Sequence, residues 1–157
     1  MIRRATVADD AAPAEIMFAA IHESDSGYTT DQRRAWAPER RSGSEWSERL
    51  AGQTVFVAEA GGVAVGFMSV ASDGYVDLAY VRSRYQGRGL FRRLYRRVED
   101  EAVREWVPRL WVHASTSAEP AFRAVGFSVV HRESVEVRGQ RLDRFEMEKR
   151  LDADSPE

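Results

Sequence analysis

The sequence predicts an α/β domain built around a mixed β-sheet. Short runs rich in β-branched and aromatic residues are separated by glycine turns, and two other stretches carry apolar residues at helical spacing. An apolar fraction of 43% is enough to fill a core. A chain of 157 residues suits one compact domain. We expect that domain to span residues 1–151 and residues 152–157 to form a disordered acidic tail.

The first third of the chain predicts a strand, a helix and a mostly irregular segment. Ile2–Thr6 forms a short strand, and Asp9 or Asp10 is placed to cap the helix that follows. Residues 23–51 are polar and predict a loop with one or two short helices. The helix is indicated by apolar residues at helical spacing, namely Ile16, Phe18 and Ile21.

Three neighbouring strands with tight turns follow. The glycine pair at 61–62 separates Thr54–Ala60 from Ala64–Ser72, which is a strong hairpin signal. An Asp-Gly turn at 73–74 then leads into the strand Tyr75–Val81.

The rest of the chain predicts a long helix, a strand, a short helix and a closing hairpin. The long helix begins after Gly89, and the strand Leu110–His113 and the helix Ala118–Val125 come next. The hairpin joins Val129–Val137 to Arg141–Lys149. The total is six to seven strands and about four helices. The apolar face of the long helix comprises Phe91, Leu94, Tyr95, Val98 and Ala102.

The composition excludes several classes of protein. The chain has no cysteine, which excludes cysteine nucleophiles, thiolate metal sites and disulfides. Since no apolar run reaches membrane-spanning length, we expect a cytoplasmic protein without a membrane partner. A net charge of −2 disfavours nucleic-acid binding, because contact with a phosphate backbone needs a broad positive surface.

The turn between the strand ending at Val81 and the long helix has the features of an anion site. Gly87 allows the backbone to approach a ligand closely, and the free N–H groups at a helix start bind anions. Three arginines lie at this helix start, where the macrodipole already makes each positive charge unfavourable by roughly 0.3–1 kcal/mol. They are Arg88, Arg92 and Arg93.

An alternative interpretation treats the arginines as a solvated helix face. Arg96 with Asp100 and Arg97 with Glu101 have the i,i+4 spacing of helical ion pairs. That accounts for the later arginines but not for the three at the helix start. The pattern therefore favours a pyrophosphate at the turn.

This segment resembles the acetyl-CoA signature of the GNAT (GCN5-related N-acetyltransferase) family, V-x-P-x-x-[QR]-x-x-G-x-[GA]. It reads Val81-x-Ser83-x-x-Gln86-Gly-Arg-Gly89-Leu. Gly66-Phe67 and Gly126-Phe127 extend the resemblance over most of the chain, and Tyr28-Thr-x-x-Gln32-x-x-Ala35-Trp36-Ala37-Pro38 is similar to a subgroup of small bacterial members. The resemblance implies a GNAT fold whose sheet is splayed at the acetyl-CoA site.

The resemblance also implies which residues bind acetyl-CoA, as a co-substrate and without a metal. The main chain of Ala79, Tyr80 and Val81 would offer N–H groups to the pantetheine and the thioester oxygen. Ser83 stands where the family has proline, and Phe91 where it has a small residue. The other implied cofactor-binding residues are Gln86, Gly87, Arg88, Gly89, Leu90, Phe91, Arg92, Ser115 and Phe122.

Two residues are candidates for the catalytic base. Strand alternation places Asp77 on the same side as Ala79 and Val81, where partial burial would raise its pKa toward that of a base. The alternative is that Asp77 pairs with an arginine or with the backbone. His113, at the end of the next strand, is the second candidate because it titrates near neutrality, although a lone histidine at a strand end more often has a structural role. His22 and His131 have weaker claims.

The acid that protonates the leaving thiolate is missing from its usual position. Many family members have a tyrosine four residues before the Gly-Phe pair, and this chain has Phe122 there. Water, Tyr80 or Ser115 would have to serve instead. Since a thiol pKa is only about 8.5, a thiolate leaves tolerably without an acid.

The substrate side is expected between residues 22 and 46 and at the 139–140 hairpin turn. Aromatic residues there would line a pocket, and carboxylates would attract a cationic amine. The alternative is that the tryptophans only cover the sheet. The expected wall is Tyr28, Trp36 and Trp46, and the expected carboxylates are Glu23, Asp25 and Asp77.

The sequence therefore predicts an N-acetyltransferase that acts on a small amine or an amino-terminal group, as a monomer or homodimer. One alternative is a protein or peptide acetyltransferase. Another is an acyl-CoA-binding sensor that has lost catalysis, which the phenylalanine at position 122 would favour.

Overall fold

The computed structural model describes residues 1–23 and 27–151, so the expected tail at 152–157 and Asp25 lie outside the described residues. A mixed sheet of seven strands forms its centre, in the order β1-β2-β3-β4-β5-β7-β6, which confirms the predicted α/β fold. The strands are β1 (Ile2–Arg4), β2 (Thr54–Ala60), β3 (Val63–Val70), β4 (Tyr75–Val81), β5 (Arg109–Ser115), β6 (Ser128–Val137) and β7 (Gln140–Arg150). The helices are α1 (Ala11–Glu23), α2 (Thr30–Trp36), α3 (Gly43–Ala51), α4 (Leu90–Arg104) and α5 (Glu119–Ala124).

The boundaries follow the sequence pattern closely. β2 and β4 begin and end at the predicted residues, and the segment 23–51 contains α2 and α3 as its two short helices. The turn that leads into β4 requires glycine at position 74, because a Cβ on Gly74 would lie 2.2 Å from the carbonyl oxygen of Arg109. Within the described ranges no helix is long and apolar enough to cross a membrane.

The helices cover the two faces of the sheet separately. α4 and α5 lie on one face, here called the α4 face, where Leu94, Val98 and Phe122 form the centre of a buried cluster. α1, α2 and α3 lie on the opposite face, here called the α1 face, whose buried cluster includes Ile16 and Trp46. Each face of the sheet therefore has its own core.

The sheet opens between β4 and β5, the only parallel pair in the described sheet. Registered pairing is limited to Tyr75 with Trp111 and Val76 with Val112. Beyond these two pairs the strands diverge, so the edge of β4 that faces β5 keeps backbone groups without strand partners. The splay that the family resemblance implied is present at this point.

A β-bulge in β4 changes the direction in which Asp77 points. Ser69 pairs with Leu78 and Val70 pairs with Val76, which leaves Asp77 as the extra residue. Asp77 contacts α3, whereas Ala79 and Val81 pack against the cluster of the α4 face. The expectation from strand alternation that Asp77 shares a side with Ala79 and Val81 was therefore wrong.

Candidate active site

A cavity of about 490 Å³ lies at the splay and is lined by residues from both faces of the sheet. Ala20, Ile21 and Trp36 line it on the α1 face, and α4 and α5 line it on the α4 face. Of the predicted cofactor-binding residues, those that line the cavity are Ala79, Tyr80, Val81, Gln86, Gly87, Gly89, Leu90, Phe91, Arg92 and Ser115.

The glycine turn presents backbone N–H groups to this cavity. Gly89 precedes α4 with φ 80°, and α4 has neither a side-chain cap nor an acidic residue in its first turn. The first bond closed across the start of the helix runs from the Arg93 N–H to the Gly89 carbonyl, so the N–H groups of residues 89–92 have no partner within the helix. The Gln86 side chain donates to the Val81 carbonyl at 2.9 Å and holds the turn against β4.

Two predicted cofactor-binding residues lie beside the cavity rather than in its lining. Phe122 is only 1% exposed, and its ring packs edge-on against Phe91 and Phe127 at 5.0 and 5.1 Å. Arg88 lies over the ring of Tyr85 at 5.3 Å. Phe91, which replaces the usual small residue, both lines the cavity and packs on the α4-face cluster.

The cavity lining includes hydroxyl groups at the start of α5 and on β4. The Ser115 hydroxyl accepts from the Ala118 N–H at 3.1 Å and lies 3.1 Å from the Ser117 hydroxyl. Burial raises the pKa of Tyr80 far above its usual range, so this phenol stays protonated. Both Ser115 and Tyr80 therefore offer neutral O–H groups near the splay.

The three aromatic residues expected to wall a substrate pocket have different roles. Trp36 lines the cavity. Tyr28 is buried beside it, with ring centroids 5.5 Å apart, and its hydroxyl donates to the Asp143 carbonyl and accepts from the Thr116 N–H, both at 2.9 Å. Trp46 is 4% exposed in the α1-face core and donates to the Asp10 carbonyl, so placing it in the pocket wall was wrong.

The described carboxylates expected to attract an amine are paired with arginines. Asp77 accepts from Arg49 at 2.8 and 2.9 Å and from Gln53 at 2.8 Å. Burial alone would raise the pKa of Asp77, but the bonds from Arg49 and Gln53 outweigh it and hold the pKa below its usual value. Glu23 pairs with Arg82 at 3.0 Å.

His113 stands at the apex of the splay, one residue after the last pair between β4 and β5. Its Nδ1 lies 3.0 Å from the Tyr75 hydroxyl. Burial, followed by the charge of Arg144, lowers the pKa of His113, so the imidazole is neutral near pH 7. Neither His113 nor Asp77 lines the cavity directly.

The other two histidines have structural contacts. The His22 Nε2 lies 2.7 Å from the Ala37 carbonyl and ties the end of α1 to the end of α2. His131 lies on the outer strand β6 beside Glu133 at 3.1 Å.

Sequence reasoning missed the roles of Arg49, Gln53 and Tyr75. These three side chains hold the two base candidates, but they reach them from other elements. Local spacing therefore carries no trace of the contacts.

Comparisons with known proteins agree with this geometry. The protein-family model described as "Acetyltransferase (GNAT) domain" matches residues 20–151 of this chain. The chain is 34% identical over 121 residues to the uncharacterised N-acetyltransferase YafP of Escherichia coli (strain K12), which covers 76% of this chain and 75% of that protein.

Solved structures show the same fold. A GCN5-related N-acetyltransferase from Rhodopseudomonas palustris superposes with a TM-score of 0.89 and 30% identity, over 96% of this chain and 95% of that one. The structure of yncA from Salmonella typhimurium with acetyl-CoA has a TM-score of 0.69 and 28% identity, over 100% and 96% of the two chains. The chain belongs to the GNAT family and is an N-acetyltransferase.

Proposed function

We propose that this enzyme binds acetyl-CoA from the α4 face and transfers the acetyl group to a small amine that enters from the α1 face. The observation that carries the proposal is the cavity at the splay, which is lined by residues from both faces of the sheet. A thioester and an amine that meet in this opening are brought together from opposite sides, which converts a bimolecular step into an oriented one.

The residues at the α4 end fit a pyrophosphate. The free N–H groups of residues 89–92 and the side chain of Arg92 suit two adjoining phosphates at a helix N-terminus. The glycine conformation at position 89 keeps side-chain bulk away from that approach. The solved structure of yncA holds acetyl-CoA, which supports the same ligand here.

The unpaired edge of β4 suits the thioester. The Arg82 N–H donates to the Val65 carbonyl of β3 at 2.9 Å, and Tyr80 pairs with Phe67 of the same strand. Because backbone N–H groups alternate in direction along a strand, those of Ala79 and Val81 point to the splay. Backbone N–H groups on that side are available to hydrogen-bond the pantetheine and to stabilise the oxygen of the reacting carbonyl. One such donor is worth roughly 2.7–4 kcal/mol in the transition state.

Removal of the amine proton is assigned to His113 in preference to Asp77. Since Arg49 and Gln53 occupy the Asp77 carboxylate and lower its pKa, it is a weak base. His113 is neutral near pH 7 and lies at the apex of the splay, from which it reaches the amine through water. The departing thiolate takes its proton from water or from the Ser115 hydroxyl, since Phe122 has none to offer.

A small acceptor is favoured over a protein chain because α1 and α2 enclose the cavity on its acceptor side. Ala20, Ile21 and Trp36 form that wall. An extended peptide needs an open groove, whereas an amine on a compact body fits this space.

An acceptor screen with detection of released thiol tests the proposal. Small amines, amino acids and short peptides are compared at saturating acetyl-CoA, and acetylated products are identified by mass spectrometry. We expect several small amines to accelerate CoA release well above the hydrolytic background. Tight acetyl-CoA binding without acceleration by any amine would contradict the proposal.

A further inference from the structure

We propose that the acceptor is a primary amine carried on a flat aromatic body without a second cationic group, packed against Trp36 and Tyr80. The inference rests on the proposed function and names the acceptor class of that site. It is carried by the position of these two rings, by the contacts that fix them and by the charges around them.

The position of the rings assigns them to the acceptor. The cofactor-side features, Gly89 and Arg92, lie at the α4 end of the cavity. Trp36 of α2 and Tyr80, whose side chain packs on the α1-face cluster, lie at the other end. An amine that attacks a thioester held from the α4 face has to approach past these two rings.

The two rings belong to a continuous aromatic layer. The Tyr80 ring lies 5.9 Å from the fully buried Phe67 and 6.3 Å from Trp36, and Trp36 in turn meets Tyr28 edge-on at 5.5 Å. These distances are in the range at which aromatic rings attract each other. The layer begins in the core, so the cavity wall is stiff and suits a flat group of defined orientation.

The segment from Tyr28 to Ala37 is built to hold Trp36 in this layer. Thr29 and Gln32 form a capping box at the start of α2, with bonds of 2.8 and 3.1 Å. The Gln32 side chain also donates to the Arg141 carbonyl on β7 at 2.9 Å. His22 fixes the end of the helix through the Ala37 carbonyl. The residues of this sequence motif therefore act together to position the indole ring of Trp36.

The charges around this end of the cavity disfavour a polycation. The carboxylates of Asp77 and Glu23 are engaged by Arg49 and Arg82. The charges of Arg49 and Asp77 act on the Tyr80 hydroxyl in opposite directions, so this pair adds no free negative charge at the ring. A second ammonium group on the acceptor would find no unpaired carboxylate among these residues, so the cost of removing it from water would be uncompensated, which selects against it.

Steady-state kinetics on a matched acceptor series tests the proposal. The series is 2-phenylethylamine, tryptamine, n-hexylamine and spermidine at saturating acetyl-CoA. We expect kcat/KM for the two aromatic amines to exceed that for spermidine by at least about tenfold, a difference of the size that ring packing supplies. A kcat/KM for spermidine or hexylamine equal to or above that for the aromatic amines would overturn the proposal.

Variants at position 36 assign the effect to the wall. Trp36→Ala should raise the KM for tryptamine roughly tenfold, and Trp36→Phe should raise it much less, because a ring is retained. The KM for acetyl-CoA should change less than twofold in both. Trp106→Ala is the matched control, since Trp106 is 91% exposed and does not line the cavity. If Trp36→Ala changes the KM for acetyl-CoA instead, the ring contacts the acyl group and the proposal is wrong.

Equilibrium binding separates this proposal from the one on which it rests. Calorimetry of tryptamine and spermidine with the CoA-loaded enzyme reports acceptor binding even if no amine is turned over. If tryptamine binds the wild type and Trp36→Phe with similar affinity but binds Trp36→Ala more weakly, the acceptor class is supported, even if no amine is turned over. If spermidine is turned over and tryptamine does not bind, the acetyltransferase assignment stands and the proposal of an aromatic acceptor is wrong.

Discussion

Asp77 and His113 flank the start of the splay from neighbouring strands, yet their surroundings give them different chemistry. Asp77 is held in its charged form by a guanidinium and an amide. His113 is held in its neutral form by burial, with a tyrosine hydroxyl on Nδ1. A base must be unprotonated yet basic enough to accept a proton at the working pH, and only the histidine meets both conditions.

The pH dependence of kcat/KM separates the two residues. The lowered pKa of His113 places the acidic limb of the wild-type profile below about pH 6.5, the usual value for histidine. His113→Gln should remove this limb and lower kcat/KM roughly 10²-fold. Asp77→Asn should keep the limb. Loss of the limb in Asp77→Asn, with the His113→Gln profile unchanged, would show that the base is the aspartate.

A tyrosine at position 122 would restore the residue that acts as the acid in many family members. The ring of Phe122 is packed between Phe91 and Phe127 and is 1% exposed, so a hydroxyl at this position enters an apolar environment. Phe122→Tyr should lower the free energy of unfolding by about 1–3 kcal/mol, the cost of an unpaired buried polar group. Turnover at neutral pH should not fall, since Phe122 does not line the cavity. Urea denaturation and kcat measure the two effects, and a large loss of kcat would place the ring in contact with substrate.

At the level of the secondary-structure elements, the β4 bulge organises the site. By adding one residue it turns Asp77 toward Arg49 of α3 and toward Gln53, which follows that helix, and so ties α3 to the strand that borders the splay. The bulge begins where pairing with β5 ends. The same irregularity therefore anchors α3 and frees the edge of β4.

Removing the charge of Asp77 should weaken this anchor. The pKa of Asp77 is lower in the folded state, so its stabilisation is fully present above about pH 3.9, the unfolded value, and is lost as the pH falls through the folded value. Asp77→Asn should lower the free energy of unfolding at pH 7 by about 1–2 kcal/mol, because the pair is partly exposed.

Urea denaturation at pH 7 and at successively lower pH checks this expectation. Asp100 is exposed, so Asp100→Asn serves as the control and should leave the free energy of unfolding unchanged. A stability difference between wild type and Asp77→Asn that stays constant down to pH 2 would mean that charge is not its source.

Across the whole molecule, the sequence predicts the elements well and the side-chain partners poorly. β4 and the glycine turn were located correctly because periodicity and glycine placement are local signals. The orientation of Asp77 was predicted wrongly, because a bulge depends on how two strands pair and leaves no local signal in the sequence. Trp36 and Trp46 look alike in sequence, and only the packing of α2 and α3 decides that the first lines the cavity and the second fills the core.

Acetyl-CoA binding at the glycine turn is the basis of the functional account, and calorimetry of two glycine variants measures it. Gly89→Val and Gly62→Val impose the same backbone strain, at φ 80° and 81°, and a side chain at either position meets no atom within 4 Å. Only Gly89 lines the cavity. Both variants should lose similar stability, and we expect Gly89→Val to abolish acetyl-CoA binding while Gly62→Val keeps the wild-type Kd. An unaltered Kd in a folded Gly89→Val protein would contradict the assignment of acetyl-CoA to this turn.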